Sequence, residues 1–441
     1  MSERLGCIKP AFFVLLGLLW VGAGGAAPGA EGSSTQAASA TLTQSINLEY
    51  RDLGYSVGTW MIPITLQSAP FKKEPDLGRR KVYRGTLKFG DSMEDFAPFV
   101  WDQAQGKLYL DLNRNQDLTD DGVLACTGQI NTSVETFGRV RMPFKTPLGM
   151  EQVAVDLFFT DFRATLTAYA MAYYCWEAKV TQGGQEWQLA LVDNLAGKIG
   201  SAESGSLIIR SWADRGKPID AQGGLLDCLP FTPNVFFGQR ACRLDCALAQ
   251  QDNKIKYRLT LTERAEQLGE LRLTGQYIHR LILSRAGLAG APGSGNAAQG
   301  ALARRYGAAG LRTATPAQTS LTVILDSPGP VVKIPVGSYQ YQLSLKQGGV
   351  EARPLLGNYA GNSRPLVVGA TNTATLAAGG PLTNSVAVTQ HGRSLALNYQ
   401  LLGAQGEAYQ LQGPRKEPRF TIYRPGKSGD KKLASGAFQF G

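Results

Sequence analysis

The chain is written in short alternating runs. In Lys81-Val-Tyr-Arg-Gly-Thr-Leu-Lys-Phe89, Tyr83, Leu87 and Phe89 fall on one side and Arg84, Thr86 and Lys88 on the other. That is the two-residue period of a half-buried strand. Tyr339–Leu345 and Ser394–Leu401 alternate in the same way. Phe99–Leu110 reads as a hairpin turning at Gly106, and Val153–Phe159, Cys175–Val180, Tyr257–Glu263 and Glu270–Thr274 continue the series. Arg264–Gly269 reads as a turn or one short helix. Leu321–Leu325, Arg419–Tyr423 and Ala437–Phe440 belong to a later set of strands. The pattern predicts a mostly β protein.

Three stretches interrupt it. Residues 1–30 have the layout of a secretory signal peptide: Arg4 and Lys9, then an apolar run Ala11–Gly22, then small residues around Gly24–Ala27, with a cut between Ala26 and Ala30. The apolar run is shorter than the ~20 residues of a membrane span; a retained anchor is the alternative. A cut chain would have no transmembrane span. Export predicts a periplasmic or extracellular location. Residues 31–45 are small and polar and read as a flexible tether. Residues 285–319 are mostly Ala and Gly with scattered Arg and no period, a linker or insertion in which Ala297–Tyr306 could form a brief helix. The expected organisation is a larger β-rich domain over 46–284 and an immunoglobulin-like β-sandwich over 320–441, the latter from its short strands at turn-punctuated spacing. The strands are too short and irregular for an outer-membrane barrel.

Composition refines this picture. Of 441 residues 43% are hydrophobic and 18% charged, which excludes a disordered chain, and 52 glycines suit a turn-rich β protein. The net charge of +10 is concentrated: Arg415–Lys432 holds seven basic residues against Glu417 and Asp430. An anionic cell-surface polymer or polysaccharide is the expected partner of that segment; a solvated edge that blocks strand pairing is the alternative. Export argues against nucleic acid. Beyond the signal lie Cys126, Cys175, Cys228, Cys242 and Cys246. Export permits disulfides. Cys228 with Cys242 or Cys246 would close the shortest loop, and five small buried hydrophobes is the alternative. The spacing matches no zinc pattern.

One segment carries legible chemistry. The strand Leu108-Tyr-Leu runs into Asp111-Leu-Asn113-Arg-Asn115-Gln-Asp117-Leu-Thr-Asp120-Asp121-Gly122. Calcium takes six to eight oxygens, supplied in a coiled loop by alternate residues. Asp111, Asn113, Asn115 and Asp117 stand at positions 1, 3, 5 and 7 of such a loop. The run resembles the Asp-x-Asn-x-Asn calcium loops of the EF-hand and dockerin families over about a dozen residues. The resemblance implies a Ca²⁺ site with Asp111, Asn113, Asn115, Asp117, Asp120 and Asp121 as candidate ligands. Two departures matter: Gln116 stands where Gly makes the sharp turn, and Gly122 where a bidentate acid would close the shell, so Asp120 or Asp121 must substitute. With strands on both flanks, the expectation is a strand–loop–strand clip of weak affinity, on the order of 10⁻⁴–10⁻³ M. An Asx-rich turn without metal is the alternative. A fainter echo, a strand into Asp193-Asn194 and Gly197, has too few oxygens for a site.

No catalytic constellation accompanies the loop. His279 and His391 are the only histidines. There is no Gly-x-Ser-x-Gly elbow, no His-Glu-x-x-His and no phosphate-cradling loop. Glu94, Asp95 and Asp102 beside Trp101 could serve a glycosidase pair, though nothing selects them. Trp60, Trp101, Trp176, Trp187 and Trp212 could stack on sugar. The leading expectation is an exported, calcium-stabilised structural or binding protein of the cell envelope or periplasm; the alternative is a carbohydrate-active hydrolase or carbohydrate-binding protein with an appended β module.

Overall fold

A computed structural model describes residues 42–66, 71–89, 95–131, 134–162, 165–193, 205–219, 226–251, 254–285, 320–354, 365–392, 394–411, 417–424 and 429–438. The expected signal, the tether up to residue 41, and residues 286–319 lie outside them. The protein is mostly β, with no α-helix among the described residues.

The largest element is a 16-stranded sheet. One end begins with Leu229–Pro230 and proceeds through Gly205–Ser211, Gln185–Asp193 and Tyr174–Gln182 to Thr43–Asp52. That strand changes neighbour half-way: Glu49–Asp52 pair with Tyr174–Glu177, and Thr43–Leu48 with Tyr257–Thr262. The order continues through Lys254–Arg264, Arg240–Gln251 and Asn234–Phe237, then crosses by a parallel pairing to Leu321–Asp326. Ile278–Arg285, Gly337–Gln347, Val350–Pro354, Ala408–Leu411, Ser394–Leu402 and Thr383–His391 complete it.

Two five-stranded sheets cover the first half. One contains the long hairpin Val134–Thr146 and Gly149–Phe162; the other runs Ile64–Leu66, Tyr83–Lys88, Phe96–Asp102, Lys107–Leu110, Leu124–Ala125. Phe99 and Trp101 of the second, Phe137 and Phe159 of the first, and Trp176 and Leu189 of the long sheet join one core. Alternation explains why: each strand presents every second side chain to the same side. A second core gathers Leu271 and Leu273, Leu281 and Leu283, Val323, Ile334 and Leu343. It lies between the long sheet and a three-stranded sheet of Val331–Pro335, Leu268–Leu273 and Ala374–Leu376.

The strands Leu268–Leu273 and Ile278–Arg285, read from the sequence as the end of the first domain, therefore build the second core. The Ala/Gly-rich stretch interrupts adjacent strands, because Ile278–Arg285 pairs with Leu321–Asp326 directly across it. Arg264–Gly269 holds no helix, and the last strand among the described residues is Lys431–Ala437, while Gln439 and Phe440 of the expected Ala437–Phe440 strand lie outside them. All five described cysteines are free thiols, so no bridge joins Cys228 to Cys242 or Cys246.

The two cores are tied by a buried arginine. Arg280, 4% exposed, donates from Nε to the Leu226 carbonyl (2.7 Å) and from its Nη atoms to the Ile209 carbonyl and the Asp326 carboxylate. The other oxygen of Asp326 accepts the Ser211 N–H at 3.0 Å. Asp227 lies 3.7 Å from Arg280 and 3.0 Å from buried Arg353, whose Nε reaches Glu351 at 2.8 Å.

Removing one partner of such a buried pair strands the other. Arg280→Ala is expected to cost about 3–5 kcal/mol in urea unfolding, and Arg280→Ala with Asp326→Ala less than the sum of the two single losses. Strict additivity would show that the pair is not coupled. A second expectation concerns the thiols. Burial pushes Cys175 up to about 12, so maleimide should leave Cys175 unmodified in the folded chain and modify it on unfolding, read by peptide mass; fast modification of the native protein would contradict this burial.

Candidate functional site

The polar loop connects two antiparallel strands. Phe99 pairs with Leu110 and Trp101 with Leu108, and the return strand pairs Leu124 with Leu108 and Ala125 with Lys107. The flanks are strands, as the alternation predicts. Asp111 is the first residue past the ladder. Its N–H donates to the Pro98 carbonyl at 2.9 Å, while its fully buried carboxylate turns into the loop. There Oδ1 accepts the Asn115 N–H (3.2 Å) and Oδ2 the Gln116 N–H (2.9 Å).

Successive Asx turns then coil the chain. Asn113 Oδ1 accepts from Asn115 N, Asn115 Oδ1 from Asp117 N, and Asp117 Oδ1 from Thr119 N, at 3.0, 2.6 and 2.8 Å. Arg114 and Gln116 adopt left-handed backbone, φ 65° and 68°. Gln116 thus makes the turn that glycine ordinarily makes in a calcium loop, at a cost of roughly 1–2 kcal/mol, and the Asp111 bond to its N–H holds it there. The loop is pinned from outside as well. The Gln116 carbonyl accepts the N–H groups of Lys72 and Lys73, Leu118 N donates to the Lys73 carbonyl, and Leu118 is buried with Leu77, Val100 and Tyr109.

Five of the six expected ligands come together. Asp120 accepts Asn113 Nδ2 on one oxygen (3.2 Å) and Asn115 Nδ2 on the other (2.6 Å), and Asp121 Oδ2 accepts the Leu112 N–H (3.2 Å). Partial burial, then the neighbouring Asp111 and Asp120 carboxylates, hold Asp121 above the usual carboxylate range. The sixth turns away: Asp117 bonds Thr119 and pairs with Lys73 at 3.3 Å, and the Thr119 hydroxyl, ahead of its N–H and Lys73, holds the Asp117 carboxyl below its ordinary value. Asp117 could offer a cation only its backbone carbonyl, the ordinary position-7 ligand.

The sequence reading missed Arg114. Its half-buried guanidinium donates to the Pro143 carbonyl at 3.1 Å and lies 5.7 Å from the Phe89 ring. Burial lowers its pKa, against the pull of Asp111, Asp95 and Asp121. It is a fixed internal cation behind the carboxylates, signalled in sequence only by an Arg at the fourth position of an acidic loop.

The donor set is all hard oxygen and suits calcium better than a softer metal. Among the described residues no three His, Cys, Asp or Glu side chains form a metal cluster by themselves, so a cation would need the amide oxygens of Asn113 and Asn115 beside Asp111, Asp120 and Asp121. Bound there, it would neutralise carboxylates that now repel one another.

The other candidates are dispersed. Asp102 is fully buried, caps Gln105 and pairs with Arg80 at 2.9 Å. Trp101 is fully buried and donates to buried Glu135 at 2.7 Å, with Tyr83 stacked on it. Trp176 and Trp187 are core residues too, so three of the five tryptophans present no platform to a sugar. Trp212 is covered by the Arg215 guanidinium, 4.7 Å from its ring. Asp193 is buried; Glu94 and Asn194 lie outside the described residues. His279 is half-buried in a sheet strand, and His391 is exposed at a hairpin tip.

In the C-terminal hairpin Arg424 stands directly opposite Lys431, with Lys432 next to it, all exposed; Arg415, Lys416 and Lys427 lie outside the described residues. Among the described residues no helix is long and apolar enough to cross a membrane. No family model, no curated protein and no solved structure matches the chain.

Proposed function

We propose that this chain is an exported structural or binding protein of the cell envelope or periplasm, stapled by Ca²⁺ in the loop Asp111–Asp121. One observation carries the reading: Gln116 is held in the left-handed turn of a calcium loop by the buried Asp111 carboxylate, with Asn113, Asn115, Asp120 and Asp121 gathered beside it. The ion would stiffen the connection between two strands, one with Leu108 in the main core and the other with Leu124 packed against it. It would act where calcium is plentiful and stabilise by mass action. A carbohydrate-active reading has less support, since Asp102 and three tryptophans are enclosed.

The test is thermal unfolding followed by tryptophan fluorescence, in millimolar calcium and in chelator. Calcium at about thirty times its dissociation constant should add about 2 kcal/mol, read as a midpoint raised by a few degrees. Asp111→Ala should abolish the increment and lower the calcium-free midpoint as well, because two loop amides lose a buried acceptor, a loss of about 1–3 kcal/mol. Superimposable wild-type curves would reduce the loop to a polar turn.

The basic hairpin supports an anionic polymer as partner. Like charges face each other across its strands at Arg424 and Lys431, an arrangement that costs stability unless an anion answers it. Lys431→Glu with Lys432→Glu should elute from a sulfated-polysaccharide column at clearly lower salt than wild type; unchanged retention would remove the hairpin from the reading.

A further inference from the structure

The two ends of the long sheet differ. One ends in the two-residue strand Leu229–Pro230, whose proline and shortness block further pairing. The other ends in the nine-residue strand Thr383–His391, bonded on one side to Ser394–Leu402 and on the other side to no strand among those described. The sequence of this edge carries none of the usual protective residues. It contains no proline, Lys, Arg, Asp or Glu, and neither does Ser394–Leu402. Val386 and Val388 are 42% and 60% exposed. Their face of the hairpin continues across the pairing with Tyr399 and Leu397 and ends at Leu395, itself 49% exposed.

The order of side chains on this edge is close to a palindrome. Read outward from Ala387, the strand gives Val386 and Val388, then Ser385 and Thr389, then Asn384 and Gln390. An antiparallel strand of the same sequence, related by a two-fold axis at Ala387, would set valine against valine, hydroxyl against hydroxyl and amide against amide. These are favourable cross-strand pairs, worth roughly 0.2–1 kcal/mol each. A foreign extended peptide would need its own match to this order; a second copy supplies it by symmetry. The chain carries a net +10, yet the strand that would meet its twin contributes no Lys or Arg to the repulsion.

We infer that Thr383–His391 is a self-pairing edge, and that two copies of this protein join there antiparallel about Ala387, fusing their long sheets. The main-chain groups of the open edge provide the attachment, and the palindrome provides the register. The adjoining apolar faces, Val386, Val388, Leu395 and Leu397 from each copy, become one strip across four strands.

Sedimentation velocity of the purified protein over a range of concentration tests this. Wild type should sediment as a dimer. Val388→Lys should weaken the dimer by about tenfold or more, since each introduced lysine would face Val386 of the other copy and lie diagonal to the other lysine. Val386→Glu alone should weaken it similarly. Mixing Val388→Lys with Val386→Glu should restore a dimer, because the two-fold register sets the introduced lysine of one copy against the introduced glutamate of the other. Both positions are exposed, so the fold should persist, checked by circular dichroism. A monomeric wild type, a dimer indifferent to Val388→Lys, or single variants that do not recombine on mixing would each overturn the proposal.

Discussion

The two cores of the molecule meet at a charge taken out of water. Arg280 sits on a strand of the second core, yet two of its three hydrogen bonds go to carbonyls of the first half, at Ile209 and Leu226. Its carboxylate partner, Asp326, reaches back in the same direction to the Ser211 amide. A guanidinium at this depth carries a desolvation cost of several kcal/mol, offset only when all its donors find good acceptors. The geometry that satisfies them is specific. Five planar donors accept few arrangements, so the guanidinium adds orientation to the apolar packing. The long sheet runs through this point by one parallel pairing of two residues a side, Val235 with Thr322 and Phe236 with Val323. The ladder is short, and Arg280 adds a polar tie to the apolar ones, since Ile282 and Ile324 pack into the first core and Phe236 and Ala241 into the second.

The loop and the core stand in a similar relation. Phe99 and Trp101 face inward, Trp101 closing a ring cluster with Tyr83 and Phe159 and bonding Glu135. On the other face Val100 and Tyr109 receive Leu118 from the loop itself. The polar loop thus covers the back of the sheet that launches it. Its carboxylates and its single buried leucine act together: the Asx turns set the coil, and the coil delivers Leu118 to its place.

Local structure was legible and long-range order was not. Strands such as Tyr83–Lys88, Gly337–Gln347 and Ser394–Leu402 follow from alternation because the period belongs to the strand itself. The strand flanks of Asp111–Asp121 were visible for the same reason. What could not be read is that Thr43–Asp52 lies between strands more than a hundred residues later in the chain, since pairing partners leave no mark on a local period. The low-complexity stretch after Arg285 looked like a boundary because composition records what a segment lacks, not which strands it joins. Arg114 and Arg280 escaped notice for a related reason: an arginine reads as surface until its acceptors, which are mostly backbone carbonyls, are placed around it.

The short parallel pairing has a consequence in time. A chain threaded across a membrane emerges from its N-terminal end onward, and Asn234–Phe237 emerges long before its neighbour Leu321–Asp326. Until that later segment arrives, the strand can pair only on the side of Arg240–Gln251, and Asn234 lacks the Ser320 carbonyl that its side chain finally meets. The first core therefore waits, with one open flank and without Ile324, while the Ala/Gly-rich stretch emerges. A segment with almost nothing to bury is well suited to that interval, because it offers the waiting flank no apolar rival.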